Sequence, residues 1–128
     1  MKILNIPNIG KLEFNQDHWE CWDIHTEIGS VDLQIDLIDL NEDEIISEIH
    51  SIFSNIKQCI SEAKSYLKSK VEKEEFTTYG NLIEPSILLN KDEGTYYFNL
   101  CFTCSSNEDI ICGVDFKNLK PYDVTIGN

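Results

Sequence analysis

The chain reads as an α+β domain: an antiparallel β-sheet of about six to eight strands, with one long amphipathic helix packed on one face, in the order β-β-β-β-α-β-β-β-β. Three observations predict it. Over residues 1 to about 40, and again over about 82 to 127, short apolar-alternating runs are punctuated by turn residues, the pattern of half-buried strands. Between them, from about 42 to 74, apolar residues recur at three- and four-residue spacing, the period of a helix. No low-complexity segment, repeat or linker separates the blocks, so residues 1–128 form a single domain. A chain of 128 residues buries roughly two-thirds of its unfolded surface, enough for one core.

In the first block, Ile28-Gly29-Ser30-Val31 has the form of a two-residue hairpin loop with glycine first. That turn sets Ile28 opposite Val31, Thr26 opposite Leu33, Ile24 opposite Ile35 and Trp22 opposite Leu37, an almost wholly apolar inward face. Outward then fall Glu27 opposite Asp32, His25 opposite Gln34, and Asp23 opposite Asp36. A further hairpin, Leu12 to Trp22 through Asp17-His18-Trp19, brings Phe14 opposite Trp22, Glu13 beside Asp23 and Lys11 beside His25.

The helix is marked at its start by Asn41, a good N-cap, followed by Glu42, Asp43 and Glu44, where the helix dipole favours negative charge. Ile45, Ile49, Ile52, Phe53, Ile56, Ile60, Ala63, Leu67 and Val71 form its apolar stripe, and Lys57, Lys64, Lys68, Lys70 and Lys73 gather toward its C-terminal half. The segment around Tyr79-Gly80-Asn81 ends it. In the last block the strands are Leu82 to Leu89, Thr95 to Cys104, Ile110 to Lys117 and Tyr122 to Ile126. Tyr96, Phe98, Leu100, Phe102 and Cys104 share one parity, as do Ile110, Cys112, Val114 and Phe116, and these make the core face under the helix.

Charge narrows the functional classes. The chain carries 23 acidic residues against 10 cations, for a net charge of -13, and all of the cations are lysine. Of that -13, residues 1–50 contribute -10, from 12 acids and 2 lysines. Binding nucleic acid requires a cationic stripe to neutralise phosphates, and an anionic membrane surface requires the same; neither is present. The opening Met1-Lys2-Ile3-Leu4-Asn5-Ile6-Pro7 is too short an apolar run for a signal peptide, so a cytoplasmic protein is expected. The five cysteines are odd in number and scattered through apolar segments, as small hydrophobes of a reducing compartment are.

Little in the chain carries chemistry. It contains no GxSxG, P-loop, GxGxxG or HExxH pattern. Cys101-Phe102-Thr103-Cys104 has CxxC spacing, but in a strand residues three apart point to opposite faces. Cys21, Asp23, His25 and Glu27 alternate on one strand face without the Cys/His partners that would complete a tetrahedral zinc set. Asp23 and Asp36 form an acid pair on a flat surface rather than in a cleft. No enzyme activity, catalytic residue, metal site or cofactor is therefore assigned; His18, His25 and His50 are the only imidazoles.

What remains is the acidic face. Like charges directly opposite one another across strands are destabilising by about 0.2–1 kcal/mol, and the lysines that would relieve them lie elsewhere. Such a single-signed surface is complementary to a basic partner. The candidate partner-binding residues are Glu13, Asp23, Glu27, Asp32 and Asp36 on the hairpin, Asp39, Glu42, Asp43 and Glu44 at the helix entrance, and Trp22. Trp19 and Tyr97 are further aromatic anchors if they reach the rim.

In this β–helix–β order, lysine-poor and strongly acidic character, the chain resembles the small bacterial immunity proteins of contact-dependent inhibition and polymorphic toxin systems. The resemblance covers the whole chain in character and carries no diagnostic motif; the tail Cys112-Gly113-Val114-Asp115-Phe116 and Asp123-Val124-Thr125-Ile126-Gly127 is similar to that of small bacterial domains of uncharacterised function. The resemblance implies a non-enzymatic cytoplasmic inhibitor, a monomer or weak homodimer, that binds and neutralises a cognate basic toxin domain of nuclease type. No site residues transfer with it. The other readings are a structural or oligomerising domain, an acidic nucleic-acid mimic, and a metal-binding domain centred on His25.

Overall fold

The computed structural model describes residues 2–37 and 40–127; Asp39 of the expected helix entrance lies outside the described residues. Eight strands form one sheet in strictly sequential order. They are β1 (Ile3–Ile6), β2 (Gly10–Asn15), β3 (His18–Thr26) and β4 (Gly29–Ile35), then β5 (Leu82–Asp92), β6 (Thr95–Cys104), β7 (Asn107–Lys117) and β8 (Lys120–Gly127). Every neighbouring pair is antiparallel except β4 with β5, which run parallel. A parallel pair needs a crossover of a dozen residues or more, and the helical segment supplies it. Two four-strand meanders are thus joined through that one parallel pair. No helix among the described residues is long and apolar enough to cross a membrane.

The crossover holds three helices, α1 (Glu42–Ser54), α2 (Ile56–Lys70) and α3 (Lys73–Thr78), in place of the single helix expected. The element order is accordingly β-β-β-β-α-α-α-β-β-β-β. The first interruption is one residue wide. The Asn55 side chain donates from Nδ2 to the carbonyl of Ser51 at 2.8 Å, and its own N–H bonds Ile52 O at 3.1 Å, so the regular ladder is broken locally. Asparagine competes with the helix for backbone partners in this way. The second break follows Val71, which is extended at φ -108°, ψ 147°. At the start of α1, Asn41 Oδ1 accepts from the N–H of Glu44 at 3.1 Å, the N-cap geometry expected of it.

One layer of helix covers one face of the sheet. Ile45, Ile49, Ile52, Ile56, Cys59, Ile60, Ala63 and Leu67 from α1 and α2 are buried against Leu33, Ile35, Ile87, Leu89, Leu100, Phe102, Cys112 and Val114 of the strands. Phe98 and Phe116 stack with centroids 4.8 Å apart, pairing β6 to β7 at the heart of this layer. Each large side chain so buried contributes roughly 1.5–3 kcal/mol. Among the described residues no helix lies on the opposite face.

The β3–β4 hairpin departs from the expected register. Its closing pair is Thr26–Gly29, with Glu27 and Ile28 in the loop, and Ile24 lies opposite Val31. The Thr26 hydroxyl donates to Gly29 O at 2.7 Å and accepts from the N–H of Ile28 at 3.2 Å, which holds the loop two residues earlier than the glycine-first turn would have it. The register then breaks at a β-bulge between Cys21 and Ile24. A bulge consumes one residue and reverses the alternation beyond it. Trp22, expected inward, is therefore turned out and is 55% exposed, while Trp19 is buried. In the β2–β3 hairpin, Phe14 pairs with Trp19 rather than Trp22, and Glu13 pairs with Glu20 rather than lying beside Asp23.

Candidate functional site

The helix-free face of the sheet is where the polar chemistry gathers, and its register organises that chemistry into transverse rows. One row crosses all eight strands: Ile3, Glu13, Glu20, Gln34, Leu88, Asn99, Asp115 and Asp123 stand opposite one another in succession. Beyond Ile3 at the β1 edge, paired carboxylates (Glu13 and Glu20, Asp115 and Asp123) flank a neutral centre, and no cation interrupts the row. The next row runs Asp32, Ser86, Cys101, Gly113, Thr125. Its small residues Cys101, Gly113 and Thr125 form the floor of a trough of about 460 Å³ lined also by Leu88, Tyr97, Asn99, Ile111 and Asp115. Gly113 is what keeps that floor low: a Cβ there would stand 2.8 Å from the Asn99 amide, which leans across it and donates from Nδ2 to Asp115 Oδ1 at 3.0 Å.

The bulge places Trp22 and Asp23 opposite Asp32, at the head of the trough row. Asp23 is left-handed, with φ 56°. Its N–H, freed from the ladder, donates to Asp32 Oδ1 at 2.8 Å. Trp22 thus stands exposed among Glu20, Asp23 and Asp32.

Electrostatics differ along the face. His18 Nδ1 lies 3.0 Å from Asp17 Oδ1 and its Nε2 lies 2.9 Å from Glu20 Oε2, so a protonated ring bridges two carboxylates. The hydrogen bonds to Asp17 and then Glu20 raise the His18 pKa above 6.5, and the bond from His18 lowers that of Glu20 below 4.5. Asp36 accepts from Gln34 Nε2 at 3.1 Å and sits just beyond β4, its N–H bonded to Leu89 O.

The expected site residues divide. Glu13, Asp32 and Asp36, with Trp22 and the bulged Asp23, belong to the helix-free face or its rim. Asp23 and Asp36 are not the cross-strand pair expected, because the bulge and the shifted turn separate them. Glu27 is in the β3–β4 loop, beside a shallow depression that also takes in His25, Phe53 and His50. Glu42, Asp43 and Glu44 form the first turn of α1, on the helix-covered side of the sheet. Glu44 is engaged there: Lys91 Nζ at 3.1 Å and the Tyr96 hydroxyl at 3.2 Å both donate to its Oε1, and they lower its pKa, Lys91 first. The acidic residues thus make two surfaces on opposite layers rather than one.

Glu20, Asp115 and Asp123 escaped sequence reasoning. Glu20 lies beyond the bulge, where the assumed alternation gave the wrong face; Asp115 and Asp123 required the β6–β7–β8 register. The remaining thiols offer no site chemistry. Cys101 and Cys104 face opposite sides of β6. Cys104 Sγ and Cys112 Sγ, both buried, approach to 3.6 Å, and burial pushes the Cys112 thiol up to about 12. Among the described residues no group of three His, Cys, Asp or Glu is placed to hold a metal ion. Comparison with protein-family models, with curated proteins and with solved structures finds no match for this chain.

Proposed function

We propose that this chain is a non-enzymatic binding protein of the immunity type, which neutralises a cognate basic toxin domain of nuclease class through the helix-free face of its sheet. The observation that carries the reading is Trp22, 55% exposed and set by a β-bulge among carboxylates. Bulges next to functional sites re-aim single side chains, and a large aromatic ringed by charge is the usual anchor of a protein interface. Glu13, Glu20 and Asp32 around it supply the field that draws in a basic surface and orients it. A nuclease must present cations to its nucleic acid substrate, so its substrate groove offers the complementary charge. The acids at the start of α1 lie on the other side of the sheet and take no part in this contact.

The test is binding to the purified product of the neighbouring gene, with affinity measured by calorimetry and association rate by stopped-flow tryptophan fluorescence, from low to high salt. The association rate is expected to fall steeply with ionic strength, as for steered pairs. Trp22→Ala is expected to weaken binding by a factor of about 30, the loss of a hot-spot anchor. The double change Glu13→Lys/Glu20→Lys is expected to slow association and abolish neutralisation. Affinity unmoved by all three changes, with salt indifference, would remove this face from the interface.

A further inference from the structure

The proposed interface accounts for β2 to β4, yet the same face continues over β5 to β8, with a trough and a second pair of carboxylates, Asp115 and Asp123, which accept hydrogen bonds from Asn99 and Val124 but have no ion-pair partner among the described residues. We infer that the trough receives an apolar side chain from a basic segment of the same partner, a segment that crosses the sheet with lysines or arginines on either side of its apolar centre. This rests on the reading of the acidic face above and extends it.

Three features on the helix-free face carry the inference. First, the transverse row is continuous: Glu20 on β3 and Asp115 on β7 are joined through Gln34, Leu88 and Asn99. Four strand spacings of about 4.8 Å put the two acidic poles about 19 Å apart. Second, the middle of that span is uncharged, with Leu88 37% exposed at its centre, and the trough beside it is lined also by Ile111, 44% exposed on β7. Third, the trough floor is built from small residues, Cys101, Gly113 and Thr125, on three adjacent strands. A wholly basic ligand would satisfy the poles and leave this centre wet; a wholly apolar one would leave the poles unanswered. Charge at both ends and an apolar anchor between them answers the whole row. The span fits about six residues if extended or about thirteen if helical.

The test uses the full chain, isotopically labelled, and two synthetic peptides of about fourteen residues. Both carry two lysines near each end. One has Leu and Phe at its centre; the other has Ser in their place, so the charge is identical. At low salt the Ser peptide is expected to bind weakly and to shift amide resonances of Glu20, Trp22 and Asp32. The Leu/Phe peptide is expected to bind at least about tenfold more tightly, the worth of one buried anchor, and to shift Ser86, Leu88, Asn99 and Gly113 as well. Leu88→Ser, on the exposed side of its strand and without change of charge, is expected to cancel that gain and leave the Ser peptide unaffected. Asp115→Asn, a second and milder change, is expected to reduce affinity for both peptides' distal lysines. Equal binding of the two peptides, or shifts confined to β2–β4, overturns the trough inference while leaving the acidic-face reading intact. Binding of neither peptide overturns both.

Discussion

The backbone N–H of Asp23 donates to the side-chain carboxylate of Asp32 across the β3–β4 hairpin at 2.8 Å. Two acidic residues that a regular ladder would set in repulsion are instead joined by a hydrogen bond, because the bulge turns a main-chain donor toward the carboxylate. The same bulge exposes Trp22. Part of the repulsion on this face is therefore offset locally, and the exposure of Trp22 and the outward placement of Glu20 are products of one backbone irregularity.

That irregularity can be tested by substitution. At φ 56°, Asp23 occupies a region where β-branched side chains are strained and glycine is not. Asp23→Val is expected to destabilise the fold by about 1–2 kcal/mol, and Asp23→Gly to be neutral or stabilising by up to about 1 kcal/mol. Asp32→Ala, which removes the acceptor, is expected to cost about 0.5–1.5 kcal/mol. Urea denaturation with tryptophan fluorescence reads all three. A valine variant as stable as the parent would mean that the bulge does not hold this conformation.

His18 gives the hairpin a definite pH window. Its ring faces Asp17 and Glu20, with Asn15 and Glu13 contributed by β2 on the same face. The pKa of His18 is raised from 6.5, so its contribution to stability is fully present below that value and is lost as pH rises through the raised one. The pKa of Glu20 is lowered from 4.5, so its contribution is present above that value and is lost as pH falls through the lowered one. Melting temperatures of the parent and of His18→Gln are expected to differ most between the lowered Glu20 value and the raised His18 value, and to converge at higher pH. As His18 discharges, the face also grows more negative, so affinity for a basic partner is expected to rise with pH; His25→Gln serves as the control for the other imidazole on this face. A pH profile for His18→Gln identical to the parent's would sink the assignment.

The blocks of strand, helix and strand, the apolar stripe of the helix and the core parity of Phe98, Leu100, Phe102, Val114 and Phe116 were all legible in the sequence, because burial on one side imposes a period on each element. The interruptions were not. Asn55 ends α1 through a side-chain bond to Ser51 that an apolar stripe does not register. The Thr26 hydroxyl moved the turn, and an even shift in pairing kept Ile24 inward, so the inward pattern alone did not distinguish the two registers. The bulge then reversed Trp19 and Trp22. For the site, Glu13, Asp32 and Trp22 were named from charge and aromatic content, whereas Glu20, Asp115 and Asp123 depend on long-range pairing that no local pattern encodes.

The cysteines are expected to be inert in the folded state. The thiolate is the reactive species, and burial pushes Cys59 up to about 11 and Cys112 to about 12. Burial also raises the half-buried Cys21 and Cys101. A disulfide-exchange reagent at pH 8 is expected to label the native protein slowly, with Cys59, Cys104 and Cys112 reacting only when urea unfolds the chain. Rapid native labelling of Cys104 or Cys112, located by peptide mapping, would contradict the packing at the β6–β7 pair.

Gly113 offers a test whose sign reverses with its neighbour. A Cβ at this position meets the Asn99 amide at 2.8 Å, too close for either to stay, and Asn99 can withdraw only by giving up its 3.0 Å bond to Asp115. Gly113→Ala is therefore expected to cost about 1 kcal/mol, at the low end for overpacking, since the colliding group is a movable side-chain end. With Asn99→Ala already made, the collision is gone and only the backbone effect remains. Alanine in a strand is then favoured over glycine by about 0.5–1 kcal/mol, so the same substitution is expected to stabilise. Chemical denaturation of the parent, the two single variants and the double variant closes the cycle, with a coupling of about 1.5 kcal/mol between the sites. Additive effects would show that Asn99 does not lean over Gly113 in solution, and that the trough floor is shaped by something else.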